Sequence, residues 1–137
     1  MIKIDLHIHT SAAFYEKNYD FSLNKLREYV TKNKLNVIAI TNHNHFDREQ
    51  FLTIKKSLNN QIVLPGVEVD LENSHLLLIG DVNDVDNISD SCELLSKEIK
   101  TEKDTISYEK FVDIFPNYKQ YILIPHYKKS PAMQSTT

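Results

Sequence analysis

The stretch Asp5-Leu6-His7-Ile8-His9-Thr10 closes the first apolar run of the chain, and its reading decides the fold. Two histidines one residue apart, where a strand runs out into a loop, turn toward one point and offer neutral imidazole nitrogens to a cation. Residues i and i+2 of a strand share a face, so the pair converges whether the strand ends at Leu6 or at His9. A lone His-x-His is more often a surface or hydrogen-bonded pair than a ligand pair. The series of strand ends downstream gives this one its weight.

Ile2, Ile4 and Leu6 alternate with Lys3 and Asp5 and predict a first strand. Residues 10–20 show no period and read as a loop. Ser22 stands at an N-cap position, followed by Leu23, Leu26 and Val30 at helical spacing up to Asn33 and Lys34. Val37-Ile38-Ala39-Ile40-Thr41 is a continuous run of the kind buried on both faces of a parallel sheet, and Asn42-His43-Asn44-His45 follows it directly. Asp47 caps a second helix, with Gln50 at the capping-box position and Phe51, Ile54 and Leu58 as its buried stripe. Ile62-Val63-Leu64 opens a third strand that bends at Pro65-Gly66 and continues through Val67-Glu68-Val69-Asp70-Leu71. His75 to Ile79 returns after a short polar link, which reads as a hairpin with Glu68 and His75 facing each other. Residues 81–90, rich in Asp and Asn, read as a solvated loop, since the order of a calcium loop is absent. Helical patterns resume over 89–100, with Cys92 on the apolar stripe as a core thiol, and over 107–115, where Pro116 stops the run. Tyr121-Ile122-Leu123-Ile124 is the last long apolar strand, closed by Pro125-His126.

Composition narrows the function. The 137 residues fit one domain, and 41% hydrophobic content can build a core. A net charge of -3, with Arg27 and Arg48 the only arginines, argues against sequence-specific DNA reading. Gly66 and Gly80 are the only glycines, so neither a Walker loop nor a G-x-G-x-x-G turn can be assembled. One cysteine, no signal-peptide core and no apolar run near the roughly 20 residues of a membrane span point to a cytoplasmic protein without membrane association.

All six histidines fall at strand ends or hairpin edges: His7 and His9 after the first strand, His43 and His45 after the second, His75 opposite Glu68, and His126 after the last. In sheets built of βα units, groups at the carboxyl ends of the strands converge on one mouth. Five histidines and a glutamate exceed what one tetrahedral ion needs and suit two or three divalent ions sharing a carboxylate, a set that makes water a nucleophile near neutral pH.

Asp5-Leu6-His7-Ile8-His9-Thr10, Ile40-Thr41-Asn42-His43, Pro65-Gly66-Val67-Glu68 with His75, and Ile124-Pro125-His126 resemble, in order, the first four motifs of the PHP (polymerase and histidinol phosphatase) family. The resemblance implies an α/β fold: a partial, distorted (β/α)7 barrel of TIM-like type, with about four barrel strands plus a β-hairpin and with the C-terminal strands missing. It implies a PHP-like domain over 1–130 and an irregular tail over 131–137. The implied activity is metal-dependent phosphoesterase: hydrolysis of a phosphomonoester, nucleotide or nucleic-acid end by a hydroxide bridging two or three ions of Zn, Mn or Fe. Carried over, His7 and His9 bind the first ion, Glu68 bridges, His75 and His126 bind the second, and His43 serves a third. His45 is the candidate general acid, and Lys128, with Lys129 as alternative, the candidate phosphate-neutralising cation.

The chain departs from the family pattern in three places. Asn42 replaces the usual aspartate of the second motif, Glu16 is the only ionisable residue near the place of the third-metal ligand, and the late Asp-x-His motif has no counterpart after His126. These departures leave an alternative, a truncated or degenerate PHP domain with a structural or regulatory role beside an ATPase or polymerase activity. A fused or partner domain of that kind, or self-association, would then complete the barrel.

Overall fold

In a computed structural model, which describes residues 1–17 and 20–127, a single five-stranded sheet carries four helices. Strand β1 (Ile4–Ile8) leads through helix α1 (Leu23–Lys32) to β2 (Val37–Ile40), and α2 (Arg48–Ser57) leads to β3 (Ile62–Asp70). Strand β4 (Ser74–Ile79) returns as a hairpin, α3 (Val85–Glu98) and α4 (Tyr108–Ile114) follow, and β5 (Ile122–Tyr127) ends the described chain. The strands lie in sequence order, β1-β2-β3 parallel and β3-β4-β5 antiparallel. The sheet curls into half a barrel.

Two successive reversals restore direction, so β1, β2, β3 and β5 all run the same way and β4 alone runs against them. The carboxyl ends of four strands and the amino end of β4 therefore share one rim. Register then sets the faces. In β3, Val67 and Val69 join the buried core while Glu68 and Asp70 point to the other face, the period of two expected of a strand. Asp70 pairs with His75, and His75 pairs in turn with His126, which puts all three in one row across β3, β4 and β5.

The helices cover the opposite face. Leu26 and Val30 of α1, Phe51 and Ile54 of α2, Ile88, Cys92 and Leu95 of α3, and Phe111 and Ile114 of α4 form one cluster with Ile38, Ile40, Val63, Val67, Val69, Leu76 and Leu78. Side-chain caps at Ser22, Asp47 and Ser107 start α1, α2 and α4, as their N-cap chemistry dictates. Gly66 sits where β3 bends: a Cβ there would lie 2.5 Å from the Leu78 carbonyl oxygen and 2.9 Å from Thr41 Cγ2, so the close approach of β2, β3 and β4 excludes any side chain. Cys92 is buried, and burial pushes its thiol pKa up, in keeping with a core role.

Four sequence expectations need correction. The first strand starts at Ile4 and reaches Ile8, and Ile2 and Ile4 are exposed, since β1 is an edge strand. The acidic stretch 81–90 is not a loop: Asp81 caps a short 3-10 turn, and α3 begins at Val85, four residues before the predicted start. Val85, Ile88, Cys92 and Leu95 are its buried stripe, an i, i+3, i+7, i+10 pattern that the intervening Asp and Asn residues obscure. The last strand runs through Pro125 to Tyr127. Proline is tolerated there because β5 pairs only with β4 among the described residues, leaving a side of the strand where no ladder donor is needed.

The fourth correction concerns Gln50. Its backbone N–H completes the Asp47 cap, but its side chain reaches residue 10 instead of closing a capping box. Lys128, Lys129 and the predicted tail over 131–137 lie outside the described residues. Among the described residues, no helix is long and apolar enough to cross a membrane.

Candidate metal centre

Glu68 is the centre of the rim. Its side chain is only 3% exposed. Five imidazoles surround it in a closed circuit, with centroid separations of 5.0 Å (His7–His9), 4.4 Å (His9–His43), 6.1 Å (His43–His75), 5.1 Å (His75–His126) and 5.4 Å (His126–His7). His7 is the last residue but one of β1 and His9 follows its end. His43 extends the β2–β3 ladder by an isolated bridge to Glu68, while His75 and His126 are register partners on β4 and β5.

The two carboxylate oxygens face different histidines. Glu68 Oε1 lies 2.7 Å from His7 Nε2, 2.9 Å from His9 Nε2 and 3.8 Å from His43 Nδ1. Oε2 lies 3.1 Å from His75 Nδ1 and 3.5 Å from His126 Nε2. Burial alone would raise the Glu68 pKa, but hydrogen bonds from His9 and His7 and the fields of His43 and His7 outweigh it and bring it to about 2. Burial lowers the His126 pKa, against the opposing pull of Glu68.

The donor set fits a divalent cation. A carboxylate offers about four acceptor sites, and five imidazoles cannot all be protonated around one without strong mutual repulsion. His75 Nδ1, His126 Nε2 and Asp70 Oδ1 are buried without a hydrogen-bond partner, a costly arrangement for polar atoms unless an ion satisfies them. Three sets of potential ligand atoms lie within 4.8 Å of one another: His7, Glu68 and His126; His9, His43 and Glu68; His43, Asp70 and His75. Mixed imidazole and carboxylate ligands accept zinc, manganese or iron.

No family model matches the chain, and no curated protein matches it. Among solved structures, a provisionally assigned metal-dependent phosphoesterase from Bifidobacterium adolescentis ATCC 15703 is similar, with a TM-score of 0.41 and 15% sequence identity over 82% of this chain. The match covers 42% of that protein's chain, so the present chain spans less than half its length. Similarity at this level assigns no activity.

Asn42 is the second element of the site. Its Oδ1 accepts the backbone N–H groups of Thr10 at 2.7 Å and Ser11 at 3.0 Å, clasping the segment that leaves His9. Gln50 holds the same segment from α2, accepting from Thr10 Oγ1 at 2.6 Å and donating to the Thr10 carbonyl at 3.1 Å. An amide oxygen meets the demand of two neutral donors, so this position functions structurally without a negative charge.

His45 stands outside the circuit, its Nε2 3.2 Å from Ser11 Oγ. Burial lowers its pKa, against the influence of Asp47 and Glu16, an environment that disfavours the protonated form a general acid needs. Glu16 Oε1 accepts the Ala13 N–H at 2.8 Å and so helps shape the loop after β1. Two clefts of about 280 Å³ flank the circuit, one lined in part by His9, Thr10, Phe21 and Lys25, the other by Asn73, Ser74, Pro125 and His126.

The sequence reading passed over Asp70 and Asn44. Asp70 is buried two residues beyond Glu68 on the same face of β3, with Oδ1 2.5 Å from His75 Nδ1. Asn44, at a left-handed φ of 49°, accepts the Asp70 N–H at 2.9 Å and donates to Asp70 Oδ2 at 3.2 Å and to the Tyr15 hydroxyl at 2.8 Å. Strand alternation was the available signal: whatever points Glu68 inward points Asp70 inward too.

Proposed function

We propose that the chain is a metal-dependent phosphoesterase domain of the PHP type, acting on a phosphomonoester, nucleotide or nucleic-acid end. The observation that carries this reading is the division of labour on Glu68, Oε1 toward His7 and His9 and Oε2 toward His75 and His126. A carboxylate so placed would hold two divalent ions, one through each oxygen. The ordered motifs from His7 to His126 support the same assignment.

Divalent ions in such a set supply Lewis acidity toward phosphoryl oxygens and a water nucleophile at neutral pH. The chain's own residues do the rest. Glu68, ionised well below neutrality, would supply the shared anionic oxygens, and the histidines would supply nitrogen donors. Asn42 and Gln50 fix the segment on which His9 stands, so the ligand geometry is held before anything binds. In this reading Lys128 neutralises substrate charge; the lowered pKa of His45 weighs against its expected part as general acid.

The test is metal content together with hydrolysis of a generic phosphomonoester and a phosphodiester under added manganese or zinc, for the wild type and His9→Ala. At least one ion per chain, and activity that falls in the variant, are expected. Less than one ion per chain, or activity unchanged in His9→Ala, overturns the reading. Metal binding without hydrolysis of either ester would select the degenerate, regulatory alternative.

A further inference from the structure

Every ligand implied by the motif pattern is a histidine apart from Glu68, and Asp70 has no role in it. We propose that Asp70 is itself a metal ligand and that, with His43 and His75, it forms a divalent-cation position to which His75 Nδ1 gives its lone pair, leaving His7 and His126 to a position on Glu68. The proposal rests on reading the histidine circuit as a metal centre and adds a carboxylate to it.

Three observations converge on this position. First, one nitrogen each of His43 and His75 and one oxygen of Asp70 lie within 4.8 Å of one another, a spacing one small cation can span. Second, Asp70 is 7% exposed, and its Oδ1 has no hydrogen-bond partner even though His75 Nδ1 lies 2.5 Å away and is likewise unpartnered. Neither atom is satisfied by a hydrogen bond, which leaves both available to a cation. Third, the other oxygen of Asp70 is occupied. Asn44 Nδ2 donates to Oδ2 and Asn44 Oδ1 accepts the Asp70 N–H, which fixes the carboxylate with Oδ1 turned to the two histidines. A ligating carboxylate is commonly held by its second oxygen in this way, which orients it before the ion arrives.

The electrostatics point the same way. The cation positions on Glu68 share one negative charge among five imidazoles, and each added divalent ion raises the cost of the next. A second buried carboxylate in the same row lowers that cost. An Asp that served only to orient His75 would accept a hydrogen bond from Nδ1–H, and the pair lacks that geometry.

Binding to the metal-stripped full chain separates these roles. Manganese is titrated by calorimetry, with metal analysis of the loaded protein, for the wild type, Asp70→Asn and His9→Ala. The wild type is expected to take up more than one ion. Asp70→Asn, which keeps the size and an oxygen acceptor for His75, is expected to lose one ion or to bind it at least ~10-fold more weakly, retaining the ion that His9→Ala removes. Asp70→Cys, loaded with cobalt, gives a direct signature: a thiolate-to-cobalt charge-transfer band that the wild type, whose Cys92 is buried in the core, does not show. Wild-type ion number and affinities in Asp70→Asn, or no such band in Asp70→Cys, overturn the role of Asp70 while leaving the metal centre standing. Fewer than one ion on the wild type overturns both.

Discussion

Glu68 ties its histidines to the acid stability of the metal-free protein. Its pKa falls from an ordinary value of 4.5 to about 2 in the fold. A carboxylate with a depressed pKa stabilises the native state in full above its unfolded value and loses that contribution as pH falls through the folded one. At pH 5, above the unfolded value, that contribution is present in full. With metal chelated, Glu68→Gln is therefore expected to unfold at lower urea concentration than the wild type at pH 5. The two midpoints should converge as the pH is taken from about 4.5 toward 2. Equal midpoints at pH 5 would show that the histidines do not hold the carboxylate. Single residues also show where sequence logic stops. His7 and His9 declare themselves by spacing, whereas Asp70 reads as one more polar residue of an alternating strand until His75 and Asn44 are seen beside it.

At the level of elements, the joint between the end of β1 and the end of β2 decides whether His9 is held. Strand β1 is at the edge of the sheet and gains support from one neighbour only among the described residues. The segment after it is fastened by the Asn42 amide oxygen and by Gln50 from the first turn of α2. Asn42→Ala leaves the N–H groups of Thr10 and Ser11 without their acceptor in a buried place, and a cost of about 1–3 kcal/mol is expected in chemical unfolding. Manganese affinity should fall with it, because His9 loses its anchor. Asn42→Asp, which keeps both acceptors, should stay within about 1 kcal/mol of the wild type, as the lost side-chain donor faces Thr10 Oγ1 at a long 3.5 Å. A similar loss in both variants would mean that the amide donor, not the acceptor, matters here. The helices follow another logic. Their caps and stripes were legible at α1 and α2, and the stop of α4 at Pro116, while the start of α3 was hidden because Asp81, Asp84 and Asp86 mimic a loop composition around Val85 and Ile88.

For the molecule as a whole, the half-barrel leaves both outer strands with one unpaired side among the described residues, and each displays an exposed isoleucine, Ile4 on β1 and Ile122 on β5. Unpaired edges with apolar side chains invite pairing with another chain. The isolated chain is expected to associate in a concentration-dependent way in sedimentation velocity, and Ile4→Lys with Ile122→Lys to shift it toward the monomer. A wild type that sediments as a monomer across the micromolar range would show that the edges are protected.

The sequence by itself determined the elements and their order, because hydrophobic period, caps and turn residues act over a few positions and are written locally. It also placed the histidines at strand ends and hairpin edges, five of which the fold gathers around Glu68. Only the tertiary structure decided how the ligands are shared. Two antiparallel steps after β3 bring the start of β4 and the end of β5 to the same rim as β1 and β2, and register sets Asp70, His75 and His126 in one row. That row depends on pairing between residues 51 positions apart, His75 and His126, and no local pattern records it. The His7-Ile8-His9 pair marks the candidate metal centre, and the fold places Glu68 among its five histidines.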